Sequence, residues 1–174
     1  MSRVVKVPLS VQGVERAIRE TREYKTWLKE RSRVFLDRLA QEGYDIASAK
    51  FARAVYDGTN DTEVKVETRQ ETVRSIVAIG GSVLFIEFGT GVTYPDTHPE
   101  AAEHGMARGG YGKGRGKQKA WGYYGDPGSN GEVKVNKKGR EVVITHGNPA
   151  NMPMYETVRE LEQRLRELAK EVFS

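Results

Sequence analysis

The chain has 174 residues and a formal net charge of +4, and its length suits one domain (1–174). Because 37% of the residues are hydrophobic and 30% are charged, the core of that domain must be either compact or completed by a partner surface. Because the sequence contains no cysteine, disulfides, thiol nucleophiles and cysteine zinc sites are excluded. No apolar run is long enough to cross a bilayer and the first residues lack the pattern of a secretory signal, so we expect neither a membrane span nor a cleaved leader.

The first part of the chain predicts a short strand followed by a long helix. Residues 4–7 are valine-rich and precede a proline, which favours a strand. Ser10 is placed to cap a helix over residues 11–40, and Gly43 is placed to close it. Apolar residues recur there at helical spacing: Val14, Ile18, Leu28, Phe35 and Leu39. A helix of about 45 Å is long for a small domain. These residues are therefore either ordinary core or partly left for a partner.

A second helix and a hairpin are expected next. Asp45 is placed to cap a helix that ends near Val55, and a turn follows over residues 57–61. Residues 62–68 alternate apolar and charged side chains, which predicts a half-buried strand. Residues 73–79 predict its partner, so the two strands should form a hairpin. Residues 82–88 are either a strand or a short helix, because periodicity cannot decide over so few positions.

The insert over residues 92–131 is rich in glycine, proline and basic residues, and a loop of this length is usually functional or disordered. Its aromatic residues Trp121, Tyr123 and Tyr124 predict that part of it docks on the protein or on a partner. Residues 105–119 contain five basic side chains and no acid: Arg108, Lys113, Arg115, Lys117 and Lys119. This stretch is either a mobile solvated loop or a patch that binds phosphate or an acidic protein face.

The last part of the chain predicts a hairpin and a helix. Residues 133–135 and 142–145 read as paired strands turned at 137–139, and Pro153 opens the final helix. The apolar face of that helix should comprise Met154, Val158, Leu161, Leu165, Leu168 and Val172. Because strands cluster rather than alternate with helices, the predicted fold is α+β. A long N-terminal helix and a C-terminal helix should pack on a small antiparallel sheet that carries the glycine-rich insert.

Motifs of known chemistry are not found. The glycines of residues 109–117 have neither P-loop nor dinucleotide-binding spacing, and no serine lies in a nucleophile elbow. His98 and His104 lie among acids, but their spacing matches no metal-ligand motif. We therefore expect no enzyme, no cofactor and no catalytic or metal-binding residue. A nuclease or peptidase that uses both histidines and Glu87 is the competing hypothesis.

Glu87 lies between aromatic and aliphatic residues in the sequence Phe85-Ile86-Glu87-Phe88. It either faces solvent or is half-buried and paired with an arginine or with backbone N–H groups of the following glycine turn. We favour a structural role over catalysis. The proposed structural motif comprises Phe85, Glu87, Phe88, Gly89 and Thr90.

Three segments together resemble a known family. They are residues 83–91, which contain Glu87-Phe88-Gly89-Thr90; residues 110–114 with 121–128; and residues 146–155, with their prolines before the last helix. The combination resembles the siphophage tail-component family, whose members are also described as tail-completion or head–tail joining proteins. The resemblance covers the chain from about Tyr44 to the C-terminus.

The resemblance implies a virion structural protein of the neck or tail that passes through the host cytoplasm during assembly. It implies a ring of copies, with six as the expected number, and other phage neck and tail proteins as partners. It brings no cofactor and no catalytic residue. The alternative is a nucleic-acid-binding module that uses the basic glycine-rich loop for nonspecific contact with DNA. The candidate contacts for a partner or DNA are Arg108, Lys113, Arg115, Lys117, Lys119, Trp121, Tyr123 and Tyr124.

Overall fold

The computed structural model describes residues 6–94, 98–112 and 117–174. The elements follow in the order α1 (Val11–Ala52), β1 (Glu63–Gln70), β2 (Val73–Ile79), α2 (Val83–Phe88), β3 (Trp121–Tyr123), β4 (Glu132–Val135), β5 (Glu141–Thr145) and α3 (Pro153–Phe173). Two long helices with small antiparallel sheets make an α+β fold, which confirms the predicted class. Residues 82–88, undecided from periodicity, contain the short helix α2.

Helix α1 is a single element of 42 residues. Ser10 caps it as predicted, since its side chain accepts a hydrogen bond from the Gly13 backbone N–H at 3.1 Å. The prediction that Gly43 ends the helix, and that Asp45 caps a second one, was wrong. Gly43 is buried inside α1, where an added Cβ would lie 2.2 Å from Cδ1 of Ile76. Its missing side chain therefore serves close packing of β2 on the helix and not termination.

The core lies where α3 packs antiparallel on the second half of α1. Lys50 of α1 pairs with Glu156 at 2.6 Å near the start of α3, and Phe35 contacts Phe173 at its end. The buried hydrophobic residues of the two helices are Ala40, Ala47, Phe51, Leu168 and Val172. Small residues on α1 let the helices approach closely. Two residues of the predicted apolar face of α3, Val158 and Leu165, are exposed instead, because the helix turns Thr157 toward the core.

The strands form two sheets rather than the one that was expected. β1 and β2 pair as the predicted hairpin, which packs on α1. β5 lies in the middle of a second sheet, with β3 on one side and β4 on the other. Among the described strands, the first hairpin pairs with neither β3 nor β4, so the two sheets are separate.

The insert contributes β3 to this second sheet through Trp121 and Tyr123. Tyr124, by contrast, is exposed. Of the strand predicted over residues 4–7, residues 4 and 5 lie outside the described residues. Val7 is described and lies outside any strand. Within the described part of the chain, no helix has the length and apolar character needed to span a membrane.

Candidate functional site

Glu87 of α2 is bound to the first turn of α3. One carboxylate oxygen accepts the backbone N–H of Met154 at 2.8 Å and the other accepts that of Tyr155 at 2.9 Å. The Nε2 atom of His98 lies 3.2 Å from the carboxylate, and Glu87 is 6% exposed. The solvent-facing alternative is therefore wrong, and the partners are neither an arginine nor the following glycine turn. The carboxylate satisfies N–H groups that a helix start leaves unpaired.

Gly89 and Thr90 attach the same turn to the segment before α3. Gly89 has φ 76°, and an added Cβ would lie 2.6 Å from the backbone N of Ala150. Thr90 and Asn148 exchange two backbone hydrogen bonds, of 2.8 and 3.1 Å. Two of the segments that carry the family resemblance, distant in sequence, are therefore in direct contact here.

A cleft of about 630 Å³ opens beside this turn. On one part of its lining, Phe85 and Tyr111 stack with ring centroids 6.1 Å apart, and Phe88 meets Tyr111 edge-on at 6.4 Å. The Tyr111 hydroxyl donates to the carbonyl of Gly89. The glycine turn thereby holds the aromatic ring that borders the cleft. We call this space the aromatic cleft.

The rest of the lining comes from the insert and β3. Trp121 and Tyr123 border the cleft from β3, and Tyr94 borders it from the segment after α2. Two basic residues, Arg108 and Lys117, also lie in the lining, and the Arg108 guanidinium donates to the carbonyl of Tyr94. The cleft therefore combines aromatic rings with positive charge.

Asp57 adds a buried acid to the lining of the aromatic cleft. It is 6% exposed, and neither carboxylate oxygen has a hydrogen-bond partner among the described residues. Its backbone N–H donates to the Asn148 side chain at 2.6 Å, which fixes its position. Burial raises the pKa of Tyr56 and of Tyr123, and the negative charge of Asp57 raises the pKa of both further. From the sequence, Asp57 was predicted only as part of the turn over residues 57–61, and no spacing marks it as a site residue.

The structure brings some residues of the predicted structural motif and of the predicted contact set together and separates others. Those that line the aromatic cleft are Phe85, Phe88, Gly89, Thr90, Arg108, Lys117, Trp121 and Tyr123. Lys119 is exposed outside the lining, and the Tyr124 hydroxyl accepts a hydrogen bond from the Asn136 side chain at 3.2 Å. Lys113 and Arg115 lie outside the described residues.

The residues of the competing enzyme hypothesis are placed as follows. His98 is buried between the rings of Phe88 and Tyr155, at centroid distances of 4.4 and 5.3 Å. His104 is exposed, and its Nε2 atom lies 3.6 Å from the Glu100 carboxylate. In residues 6–94, 98–112 and 117–174, no group of three or more His, Asp or Glu side chains is arranged to hold a metal ion.

The first four turns of α1, residues 11–26, form an arm about 24 Å long. In the described part of the chain, no hydrogen bond, ion pair or ring contact joins the arm to another element. Val11 is 77% exposed, Val14 46% and Ile18 47%. Leu28, just beyond the arm, is 40% exposed. The interpretation of Val14, Ile18 and Leu28 as ordinary core residues was therefore wrong.

Comparison with known proteins gives no match: no family model, no curated protein and no solved structure is significantly similar to the chain.

Proposed function

We propose that this chain is a structural protein of a tailed bacteriophage, which completes the tail or joins it to the head-side connector as a ring of copies. It acts at the neck or tail by binding other virion proteins and is not an enzyme. The family resemblance of residues 83–91 and 146–155 suggests the role. The observation that carries it furthest is the arm of α1, because its apolar side is left uncovered by the subunit.

The apolar residues of the arm continue the stripe by which α1 packs on the rest of the subunit. Phe35 contacts Phe173 of α3, and Ala40 is buried. Val14 and Ile18, by contrast, lie beyond the end of α3 and are exposed. Covering a half-exposed aliphatic side chain stabilises an assembly by about 1 kcal/mol. In proteins, most of the stability of a helix comes from packing of its apolar face, which the arm lacks within the described subunit. A subunit built this way is completed by a neighbour.

Beside its apolar residues, the arm carries nearly balanced charges of both signs: Arg16, Arg19, Arg22 and Lys25 with Glu15, Glu20 and Glu23. A polar rim around an apolar stripe is typical of protein–protein interfaces. A surface that binds the DNA backbone would instead carry an excess of positive charge. The arm therefore favours protein neighbours.

The test uses a phage that lacks this protein, and the wild-type protein or a variant is supplied in trans. Loss of the protein should leave filled heads and separate tails, or tails of aberrant length, in electron micrographs of lysates. Wild-type protein should restore infectious particles. Ile18→Lys places a charge on the apolar stripe. It should restore at least about tenfold fewer infectious particles than the wild-type protein does.

Gln12→Lys is the matched control, because it places the same side chain on an exposed polar position of the arm. It should restore particles as well as the wild type does. Normal infectious particles in the absence of the protein would contradict the proposed function. Full rescue by Ile18→Lys would show that the arm is not the contact surface.

A further inference from the structure

The first turns of α3 and the elements around them enclose an open groove of about 610 Å³. Its apolar lining includes Val77 of β2, Leu84 of α2, Met106 of the insert, and Met154 and Val158 of α3. We call this space the methionine groove. We propose that the arm of a second copy of this chain docks in it, with Val14 and Ile18 against the apolar lining. The inference rests on the proposed function, in which copies form a ring, and names the surface that receives the arm.

The methionine groove is uncovered within the described part of the subunit. Leu84 is 47% exposed and Val158 is 52% exposed. Met106 and Met154 lie half-buried beside them. Methionine side chains are flexible and polarisable, so they adapt to a docked surface. Because amphipathic helices are commonly bound by such apolar grooves, the lining suits a helix as its occupant.

The arm presents a face of matching form. Val11, Val14 and Ile18 recur at intervals of three and four residues, so they share one side of α1. Their branched side chains are stiff and make a narrow apolar ridge. Arg22 and Lys25 continue the same spacing toward the body of the subunit. The face that carries the ridge therefore ends in two cations.

The arm and the methionine groove lie at opposite ends of one subunit. Trp27, just after the arm, contacts Phe173 at the end of α3, with ring centroids 6.3 Å apart. The start of α3, where the groove lies, is fixed beside Lys50, which pairs with Glu156 at 2.6 Å. Lys50 is about 48 Å along the helix from Ile18. The arm therefore cannot enter its own groove, and a second copy can cover both surfaces. Such a head-to-tail contact, repeated between copies, closes a ring if the rotation between them allows it.

The charge around the groove agrees with this occupant. Two exposed carboxylates, Glu100 and Glu162, belong to the lining, and among its described residues Arg159 is the one Lys or Arg. Arg159 pairs with Glu162 at 3.3 Å, so the charge that remains at the border is that of Glu100. A negative border attracts the two cations on the face of the arm and repels DNA. Because exposed charges contribute little affinity, they orient the contact and the apolar side chains hold it.

The first test is a cross-link between two copies. The sequence has no cysteine, so Ile18→Cys and Val158→Cys each carry one thiol. The two proteins are mixed and treated with a short bismaleimide, and mass spectrometry should identify a link between positions 18 and 158, which can join only different copies. Arg16→Cys is the matched control on the arm. It lies roughly 200° around the helix from position 18, so it should give at least about tenfold less of its link to position 158.

The second test is sedimentation velocity of charge variants. Val158→Lys places a charge in the groove and should shift the protein toward the single subunit, as Ile18→Lys does. Leu165→Lys is the control, because Leu165 is an exposed residue of α3 outside the groove, and it should change nothing. In a mixture of Ile18→Lys and Val158→Lys, one protein keeps its groove and the other keeps its arm. The two should therefore form a pair and nothing larger.

A link from position 18 no more abundant than that from position 16 would overturn the proposal. Self-association that Val158→Lys leaves unchanged would overturn it too, and would place the contact of the arm on another surface. Wild-type protein that stays a single subunit at high concentration would exclude a second copy as the occupant. A thermal melt checks that Val158→Lys folds, and if it does not, the cross-link decides. None of these outcomes changes where the protein lies on the particle, so failure here is distinct from failure of the proposed function.

Discussion

At the scale of single residues, Glu87 connects α2 to the start of α3 through two backbone N–H groups. Glu87→Gln keeps the shape, but turns an amide N–H₂ group toward one of those donors and removes the charge. We expect a loss of about 2 kcal/mol in the free energy of unfolding, measured by urea denaturation. The control is Glu162→Gln, because that exposed residue pairs with Arg159 on the surface at 3.3 Å and should change stability by less than about 0.5 kcal/mol. Equal effects of the two substitutions would mean that Glu87 does not stabilise the fold.

Gly89 allows a second residue-scale prediction with a matched control. Both Gly89 and Gly105 have positive φ, of 76° and 68°, but an added Cβ at Gly105 has nothing within 4 Å. At Gly89 it would lie 2.6 Å from the Ala150 backbone. Alanine at Gly105 should therefore cost about 1 kcal/mol for backbone strain alone. Alanine at Gly89 should cost at least about 2 kcal/mol more in thermal or urea unfolding. Similar losses at both positions would contradict the close approach at Gly89.

Asp61 gives a pH-dependent prediction. Its carboxylate accepts hydrogen bonds from the Ser82 hydroxyl and from the Gly81 and Ser82 backbone N–H groups, which lower its pKa from 3.8 to about 2. A lowered pKa in the folded state means that Asp61 stabilises the fold above about pH 4. That stabilisation is lost as the pH falls through 4 toward 2.

An NMR titration of the Asp61 carboxylate carbon measures this value directly. Ser82→Ala removes the largest cause and should raise the pKa toward 3.8. Titration of the wild-type carboxylate near 3.8 would contradict the hydrogen bonds.

At the scale of elements, the two halves of α1 should differ in stability. Residues 35–50 pack on α3 and the first hairpin, whereas the arm over residues 11–26 is held by its own helical hydrogen bonds. In the isolated subunit at low concentration, amide hydrogens of the arm should exchange at least about a hundredfold faster than those of the packed half. Hydrogen exchange measured by mass spectrometry or NMR checks this. Uniform protection along α1 would show that the arm is already covered.

Local signals in the sequence predicted several elements correctly. Ser10, the two hairpins and Pro153 act through contacts with near neighbours in the chain, so their positions could be inferred. Gly43 was misread, because glycine ordinarily ends a helix and its use for packing against Ile76 depends on a strand far along the chain.

Features of the candidate site were harder to predict for the same reason. The backbone partners of Glu87 on α3 lie 67 and 68 residues away in sequence, and no local pattern indicates them. Asp57 looked like an ordinary turn residue. Its burial follows from the segments around Tyr123 and Asn148, which fold over it. Phe85 to Thr90 were recognised as a motif, but their position beside a cleft required the fold.

At the scale of the whole molecule, a packed body presents an uncovered helical arm. Purified protein should therefore associate as its concentration rises, with sedimentation velocity showing species larger than the 19.5 kDa subunit. Ile18→Lys should shift the distribution toward the subunit, because it places a charge in the contact. Gln12→Lys should leave it unchanged. Association that Ile18→Lys does not weaken would place the contact elsewhere.

The position of this protein on an assembled phage decides whether it acts at the neck or tail. A tagged copy that supports normal growth can be located on purified particles by gold labelling in the electron microscope. A protein that completes the tail or joins it to the head should be labelled at a single place, the junction of head and tail or the adjacent end of the tail. Intact particles without label, or label spread over the head or along the tail, would contradict it.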